Sequence, residues 1–478
     1  MSITLSGLLT GVGIAAVVFT LLVYFLVKKP KHLWMAFIQA YVGILFLFSG
    51  FVKAVDPLGT AYKMEQYFAE FEGAFSSSWM SFLAPLFPVL QNFSVSFSVI
   101  MIVFEIVLGL MILFGIYKKF ATWAFFLLIL LFTFLTGFTY LTGYVGDGAT
   151  FFNFASWGEY KDSNMKVTDC GCFGDFLKLE PITSFFKDVF LLLPGLLFIF
   201  FRKKMHTIIE NKAAFWLSAI STVLVTIYCF SNYIWDLPHT DFRPFHEGAN
   251  IKAEKEEQQA ILGSVQVVGF LMQNKEDNNK KMEVSMADYS KYSDEWEVVD
   301  QIKTEPIGKT DKISEFEMND INGDDGTYEL IDHEGKNVWI VAYKLKGRTE
   351  RSTETVIDTI TMIDPESEAG TTKVVSKEIE HVDYQAENDY MELYTTKLLT
   401  FTNKAKEAGY EIFFLTAGVS AEEAKDFIDD TGIEAKVFTG DDILLKTIIR
   451  SNPGVLIMDD ATIRSKYHIR KLPGLEEI

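Results

Sequence analysis

Two architectures are predicted in one chain, an α-helical membrane bundle with six spans followed by a mixed α/β domain. Three observations predict the division. Six segments hold enough apolar residues to cross a bilayer, which takes about 20 in a helix. Basic residues cluster in alternate connections between those segments. After residue 236 the composition turns polar and acidic, and strand-like stretches alternate with helix-like ones. The 478 residues suffice for two or three domains. The formal net charge of −20 comes mostly from the second half and argues against nucleic acid as a partner, since phosphate binding needs Lys and Arg patches.

The predicted spans are 4–27, 34–55, 96–117, 120–143, 184–201 and 213–235. The first lacks a basic leading region and runs straight into Lys28, Lys29 and Lys31, so it reads as a retained span rather than a signal peptide. Segment 76–92 is apolar but shorter and carries Pro85 and Pro88, which suits an interfacial or re-entrant piece. Lys118 and Lys119 separate the third and fourth spans, and Arg202, Lys203 and Lys204 follow the fifth. Loops 56–95 and 144–183 are richer in acids than in bases. The positive-inside rule puts the three basic connections in the cytoplasm. The N-terminus, loop 144–183 and everything after residue 236 then lie outside, in the periplasm if the source is a Gram-negative bacterium.

Asp169-Cys170-Gly171-Cys172-Phe173-Gly174-Asp175 holds two of the three cysteines. Thiols separated by one glycine close a disulfide only through a tight turn, which Gly171 permits, and a disulfide away from relaxed geometry is easier to reduce. The loop lies on the side where disulfides form and persist. Cys229, inside the sixth span, reads as a small apolar residue.

Glu105 falls near the middle of the third span, where a carboxylate costs about 2.5–3.5 kcal/mol or more. It is expected to face the bundle interior, neutral or paired. Its functional reading is a proton acceptor or an anchor for a quinone-like headgroup, and its structural reading is a packing contact that fixes helix register. Lys53 ends the second span and Lys187 opens the fifth, both at the outer interface on the side of the cysteines. Either could favour thiolate, snorkel to lipid headgroups, or be neutralised by Asp56 and Asp188.

Phe48-Ser49-Gly50-Phe51-Val52-Lys53 with Asp56-Pro57 resembles the first core helix of DoxX-type membrane proteins, and Glu105 with Gly109 and Gly115 resembles their second. Cys170-Gly171-Cys172-Phe173-Gly174 is similar to the loop of the MauE branch of that superfamily, and the layout resembles a Bacteroidota form. The resemblance covers about residues 34–204. It implies a four-helix membrane bundle made of the second to fifth spans, with the first and sixth as additions. It also implies a part in disulfide formation or in the maturation of periplasmic proteins, carried here by Cys170 and Cys172.

Residues 237–315 are charged and read as an extended linker, clamp or accessory region. From 316 the pattern sharpens. Asn337–Tyr343 is a buried strand by its β-branched and aromatic content. Residues 352–390 look like a polar insertion. A helix near 391–408, a strand over 411–416, a helix from Ala421 capped by Ser420, a strand over 437–439 and a helix through Leu444–Ile449 follow. Ser451-Asn452-Pro453-Gly454 then leads into the strands 455–458 and 463–468. This order resembles the thioredoxin fold, with Pro453 at its cis-proline position, which usually faces the active site and here becomes the candidate partner-binding residue. The chain departs from that family after the Trp339 strand, where Lys344-Leu345-Lys346-Gly347-Arg348 stands in place of Cys-x-x-Cys.

The predicted domains are an N-terminal transmembrane helix (1–33), a DoxX/MauE-like membrane domain (34–204), a sixth transmembrane helix (205–236), the linker or accessory region (237–315) and a thioredoxin-like periplasmic domain (316–478). The lead functional expectation is an inner-membrane thiol–disulfide component in which Cys170 and Cys172 cycle, supported by Gly171, Lys53, Glu105, Lys187, Asp169 and Asp175. Electrons would pass to or from a membrane carrier, a quinone among the candidates, or a separate redox protein. The alternative is a non-enzymatic scaffold or subunit of an envelope secretion or assembly complex, with the cysteines as a structural clip. Partners expected are membrane lipid and periplasmic or membrane proteins. Two thiolates with Asp169 or Asp175 are too few for a closed zinc site, so no metal is expected.

Overall fold

The structure is a computed structural model of the full chain. It describes residues 4–27, 29–146, 148–165, 167, 171–277, 280–292, 294–304, 308, 311–363 and 370–474, with backbone alone for 351–363 and 370–383 and no side chain for residue 211. Lys28, Asp169 and Cys170 lie outside the described residues. The chain divides into two compact units, Met1–Phe242 and Arg243–Ile478.

Unit 1 is helical. Its elements are α1 (Leu5–Leu22), α2 (Leu33–Val55), α3 (Pro57–Ser76), α4 (Leu86–Asn92), α5 (Ser94–Phe114), α6 (Lys118–Thr142), α7 (Pro181–Phe200) and α8 (Asn211–Phe230). Short π-helical turns extend α1 to Val27 and α8 to Trp235. Among the described residues six helices are long and apolar enough to cross a membrane, within a few residues of the predicted spans. The second to fifth of these pack as two pairs, α2 with α5 and α6 with α7, while α1 lies on α2 and α8 on α5.

Glycine sets the α2–α5 approach. A Cβ on Gly50 would lie 2.5 Å from the Ile106 side chain, and one on Gly43 would lie 2.8 Å from that of Leu113. Small residues let helix backbones come close where lipid supplies no hydrophobic drive for association. Gly43, Gly50 and Lys53 recur at helical spacing and present one face of α2 to α5.

The predicted outer loop 56–95 instead begins with α3, a 20-residue helix. Asp56 caps it by accepting from the Gly59 amide at 3.0 Å, and Pro57 fills the first helical position. Pro is preorganised there and its missing donor costs nothing. Segment 76–92 is a short 3-10 turn at Ser81–Leu83 followed by α4, too short to cross.

Unit 2 holds α9 (Ile251–Gly263), β1 (Val267–Asn274), β2 (Lys281–Ser285), β3 (Trp296–Lys303), β4 (Met318–Asn319), α10 (Thr327–Ile331), β5 (Lys336–Ala342), β6 (Gly347–Ile363), β7 (Gly370–Ala386), α11 (Asn388–Glu392), α12 (Leu399–Glu407), β8 (Glu411–Ala417), α13 (Ala421–Thr431), β9 (Lys436–Gly440), α14 (Asp442–Ile448), β10 (Gly454–Asp459) and β11 (Thr462–His468). Six strands form one sheet in the order β11-β10-β5-β8-β9-β4. β5, β8 and β9 run parallel, and β10, β11 and β4 are antiparallel to their neighbours. The core is aromatic, with Phe414, Phe427, Tyr390 and Tyr394 packed together. The Tyr394 ring meets Phe427 edge-on at 4.8 Å, and its hydroxyl lies 3.0 Å from that of Tyr390. Burial raises both hydroxyl pKa values.

The described residues of 243–304 are structured, where the sequence reads as an extended or accessory stretch. β1, β2 and β3 form an antiparallel sheet in the order β2-β1-β3. The chain before it is tied into the unit by buried cations. The Lys255 ammonium donates to the Phe316 carbonyl at 2.8 Å, and Lys466 donates to that of Phe245 at 2.8 Å. The polar stretch expected as an insertion is mostly the β6–β7 hairpin, 17 residues in each strand.

Candidate functional site

A cavity of about 50 Å³ lies inside unit 1 among α2, α3, α5, α6, α7 and the loop entering α7. That is room for a few water-sized groups, each of which needs about 10–15 Å³. Its wall brings together most of the residues singled out from the sequence. Lys53 reaches it from the last turn of α2 and Glu105 from the middle of α5. Their Nζ and Oε2 atoms are 2.7 Å apart, with side chains 6% and 2% exposed. Glu105 is therefore paired, as one branch of the expectation held. Lys53 does not snorkel. It is buried against Glu105, with the centre of the Phe132 ring 5.1 Å from its ammonium.

A second ion pair lines the same cavity. Lys187 Nζ is 2.6 Å from Asp188 Oδ1, and Thr136 on α6 donates to Asp188 Oδ2 at 3.1 Å. Asp188 is thus the neutralising partner that the sequence offered for Lys187. Asp56 instead caps α3. The Lys187 ammonium also lies 5.6 Å from the centre of the Phe173 ring. Asp188 has no exposed surface and shares a face of α7 with Gly195 and Phe198, turned toward α6. Paired charges inside a span are retained against a desolvation cost that often exceeds their attraction.

Gly171 and Cys172 close the cavity from the loop side. Gly171 has φ +61°, a left-handed conformation open to glycine at little cost, and its carbonyl accepts from the Gly174 amide at 3.1 Å. The Ser49 hydroxyl on α2 donates to the Cys172 carbonyl at 2.8 Å, which pins this turn to the bundle. Phe173 next to it is buried against Leu45 and Leu179. Asp175 is set apart from the cavity wall and lies 3.7 Å from Lys178.

Sequence reasoning missed Thr60 and Lys63 of α3, Thr136 of α6 and Ser49 as parts of this site. The Asp56-Pro57 pair, a cap followed by a first-turn proline, was the readable signal for α3 and hence for Thr60 and Lys63. The buried Thr60 hydroxyl finds no hydrogen-bond partner among the described residues. Among those residues no three His, Cys, Asp or Glu side chains cluster as metal ligands.

In unit 2 the Asn452–Pro453 bond is cis, as the sequence predicts. Pro453 is itself buried, so the surface beside it is presented by Asn452. The Asn452 side chain donates to the Lys344 carbonyl at 2.6 Å, which joins this loop to the end of β5.

Residues 31–151, covering α2 to α6, match the family model described as methylamine utilisation protein MauE. The match stops before Cys172 and before α7. No curated protein and no solved structure matches the chain. The matched helices and the six candidate spans support a MauE-like membrane protein followed by a mixed α/β region.

Proposed function

We propose that the membrane unit is a thiol–disulfide exchange module of the DoxX/MauE kind, with Cys170 and Cys172 as its redox pair, facing the periplasm from a bacterial inner membrane. The observation that carries this reading is the position of Gly171–Cys172 on the wall of a cavity that also holds Lys53–Glu105 and Lys187–Asp188. Thiolate, not thiol, is the nucleophile in disulfide exchange, and nearby ammonium groups favour it. Lys63 and Lys187 line the same cavity as Cys172.

In the oxidising direction a thiolate of a partner protein attacks the Cys170–Cys172 disulfide and forms a mixed disulfide. The partner's second thiolate then resolves it. One S–S bond breaks in this protein and one forms in the partner, while two electrons and two protons end on Cys170 and Cys172. The reverse reaction runs through the same mixed disulfide, and the direction follows the reduction potentials.

Unit 2 reads as a thioredoxin-like domain without thiol chemistry, displayed on the same side of the membrane. Its support is the parallel β5-β8-β9 core continued by the antiparallel β10–β11 hairpin, and Lys344–Arg348 after β5 where a thioredoxin carries its cysteines. Such a domain would hold a partner protein rather than oxidise it.

Trapping with a membrane-impermeant alkylating agent in intact cells, with and without added reductant, tests the reading. Labelling of Cys170 and Cys172 that rises on reduction, with part of the population already reduced, supports it. Labelling only after lysis, or a permanently oxidised pair whose double serine substitution has no consequence, leaves an anchored scaffold instead.

A further inference from the structure

We propose that the cavity lined by Cys172 binds hydrogen peroxide, that Thr60 of α3 holds it there, and that the cysteine pair reduces it to water. The inference rests on the thiol–disulfide reading and names a small oxidant for the same site. Size selects the guest. The cavity measures about 50 Å³, room for about three to five water-sized groups at roughly 10–15 Å³ each. A benzene-sized ring needs a cavity of about 150 Å³. Hydrogen peroxide, two oxygens joined by a single bond, fits with space left for water.

The wall calls for a polar guest. Thr60 is 6% exposed, lines the cavity, and its hydroxyl has no hydrogen-bond partner among the described residues. Buried hydroxyls in native interiors are satisfied, by a second molecule where the chain supplies no partner. Lys63 stands three residues further along α3, on the same face, and lines the same space. Its side chain lies over the turn that precedes Cys172, since a Cβ on Gly171 would be 3.3 Å from Lys63 Cγ. A donor hydroxyl, an ammonium and a cysteine thus border one small cavity. A neutral molecule adds no charge to the two buried ion pairs that share its wall.

The Cys172 thiolate attacks one peroxide oxygen. The O–O bond breaks and an S–O bond forms. The leaving hydroxide takes up the proton that the thiol gave, so one water departs and Cys172 becomes a sulfenic acid. The Cys170 thiol then displaces the sulfenic oxygen as a second water and closes the S–S bond. Two thiols are oxidised to one disulfide, and one peroxide is reduced to two waters. Negative charge develops on the leaving oxygen, where the Thr60 hydroxyl and the Lys63 ammonium are placed to stabilise it.

The full-length protein in nanodiscs, reduced and freed of reductant, tests this by stopped flow with hydrogen peroxide and with cumene hydroperoxide, whose aromatic ring the cavity excludes. The expected result is one hydrogen peroxide consumed per Cys170–Cys172 disulfide, at a rate constant about a hundredfold above that of free cysteine thiolate, with cumene hydroperoxide no faster than free cysteine. In Cys170→Ser the sulfenic acid should persist and be trapped by dimedone on Cys172. Thr60→Val keeps the side-chain shape and should lower the peroxide rate about tenfold, equivalent to about 1.4 kcal/mol, and Thr60→Ser should restore it. Where Thr60→Val does not fold, the ratio of the two hydroperoxide rates on the unaltered protein decides. Cysteines that exchange with a protein disulfide but meet hydrogen peroxide no faster than free cysteine, or that take cumene hydroperoxide equally fast, would overturn the peroxide site and leave the thiol reading standing. Cysteines that react with neither a protein disulfide nor peroxide would defeat the thiol reading itself.

Discussion

Replacing Lys53 with methionine removes one half of a buried ion pair and keeps a side chain of similar length. Glu105 is 2% exposed at its side chain and 2.7 Å from the ammonium, so the substitution strands a carboxylate inside the bundle. Breaking a buried pair on one side costs about 3–5 kcal/mol, because the remaining charge is left uncompensated. A carboxylate at mid-membrane on its own costs about 2.5–3.5 kcal/mol, which agrees in size. Replacing both partners, Lys53→Met with Glu105→Met, removes both charges and should recover most of that loss, since apolar replacements of whole buried pairs are often neutral or better. The assay is reversible unfolding of the purified protein in mixed micelles, read as a full double-mutant cycle. The expected coupling between the two positions exceeds about 2 kcal/mol, well above the roughly 0.5 kcal/mol scatter of independent sites. Additive effects, or a Lys53→Met protein as stable as the parent, would refute a buried pair at this position.

Gly50→Val should destabilise the α2–α5 pair by about 1–3 kcal/mol, since its Cβ would sit 2.5 Å from Ile106, and Ile106→Ala in the same chain should restore part of the loss in the same unfolding assay. Ser420→Ala removes a capping box in which the Ser420 hydroxyl accepts from the Glu423 amide at 3.2 Å, and should lower the denaturant resistance of unit 2 by about 1 kcal/mol. Alkali should destabilise unit 2. Unfolded tyrosines ionise near pH 10, whereas burial pushes Tyr384 up to about 12 and raises Tyr390 and Tyr394 as well. Their contribution is complete below pH 10 and is lost as the pH climbs toward 12, because only the unfolded chain gives up these protons there. Tyrosinate absorbance followed alongside circular dichroism checks this, and Tyr390→Phe/Tyr394→Phe should flatten the fall.

The long apolar runs were legible because a bilayer imposes a length and composition that little else mimics. The strands and helices after residue 410 were equally readable, since Phe413–Leu415 and Leu456–Met458 are buried runs bounded by turns and Ser420 announces its helix. α3 was missed because Lys63, Glu65, Glu70 and Glu72 mask its buried face, which carries Met64, Tyr67, Phe68 and Phe71. The β6–β7 hairpin was missed for the opposite reason. Its many threonines favour strands, but its charges resembled a solvated insertion. The site was half legible. Lys53 and Glu105 could each be named, yet their pairing is tertiary. It arises because Gly43, Gly50 and Gly109 let two antiparallel helices approach, which brings the last turn of α2 beside the middle of α5. The meeting of that pair with Lys187–Asp188 and Cys172 on one cavity wall needed the packed bundle.

A redox titration of the purified full-length protein bears most directly on the central claim. Equilibration against graded thiol–disulfide buffers, followed by acid quench and mass-shift alkylation, counts the free sulfurs of Cys170 and Cys172. The account predicts a single reversible two-electron transition in which both cysteines gain or lose their labels together, and its loss in Cys172→Ser. Two sulfurs that stay in one state across the whole range of buffers would contradict it.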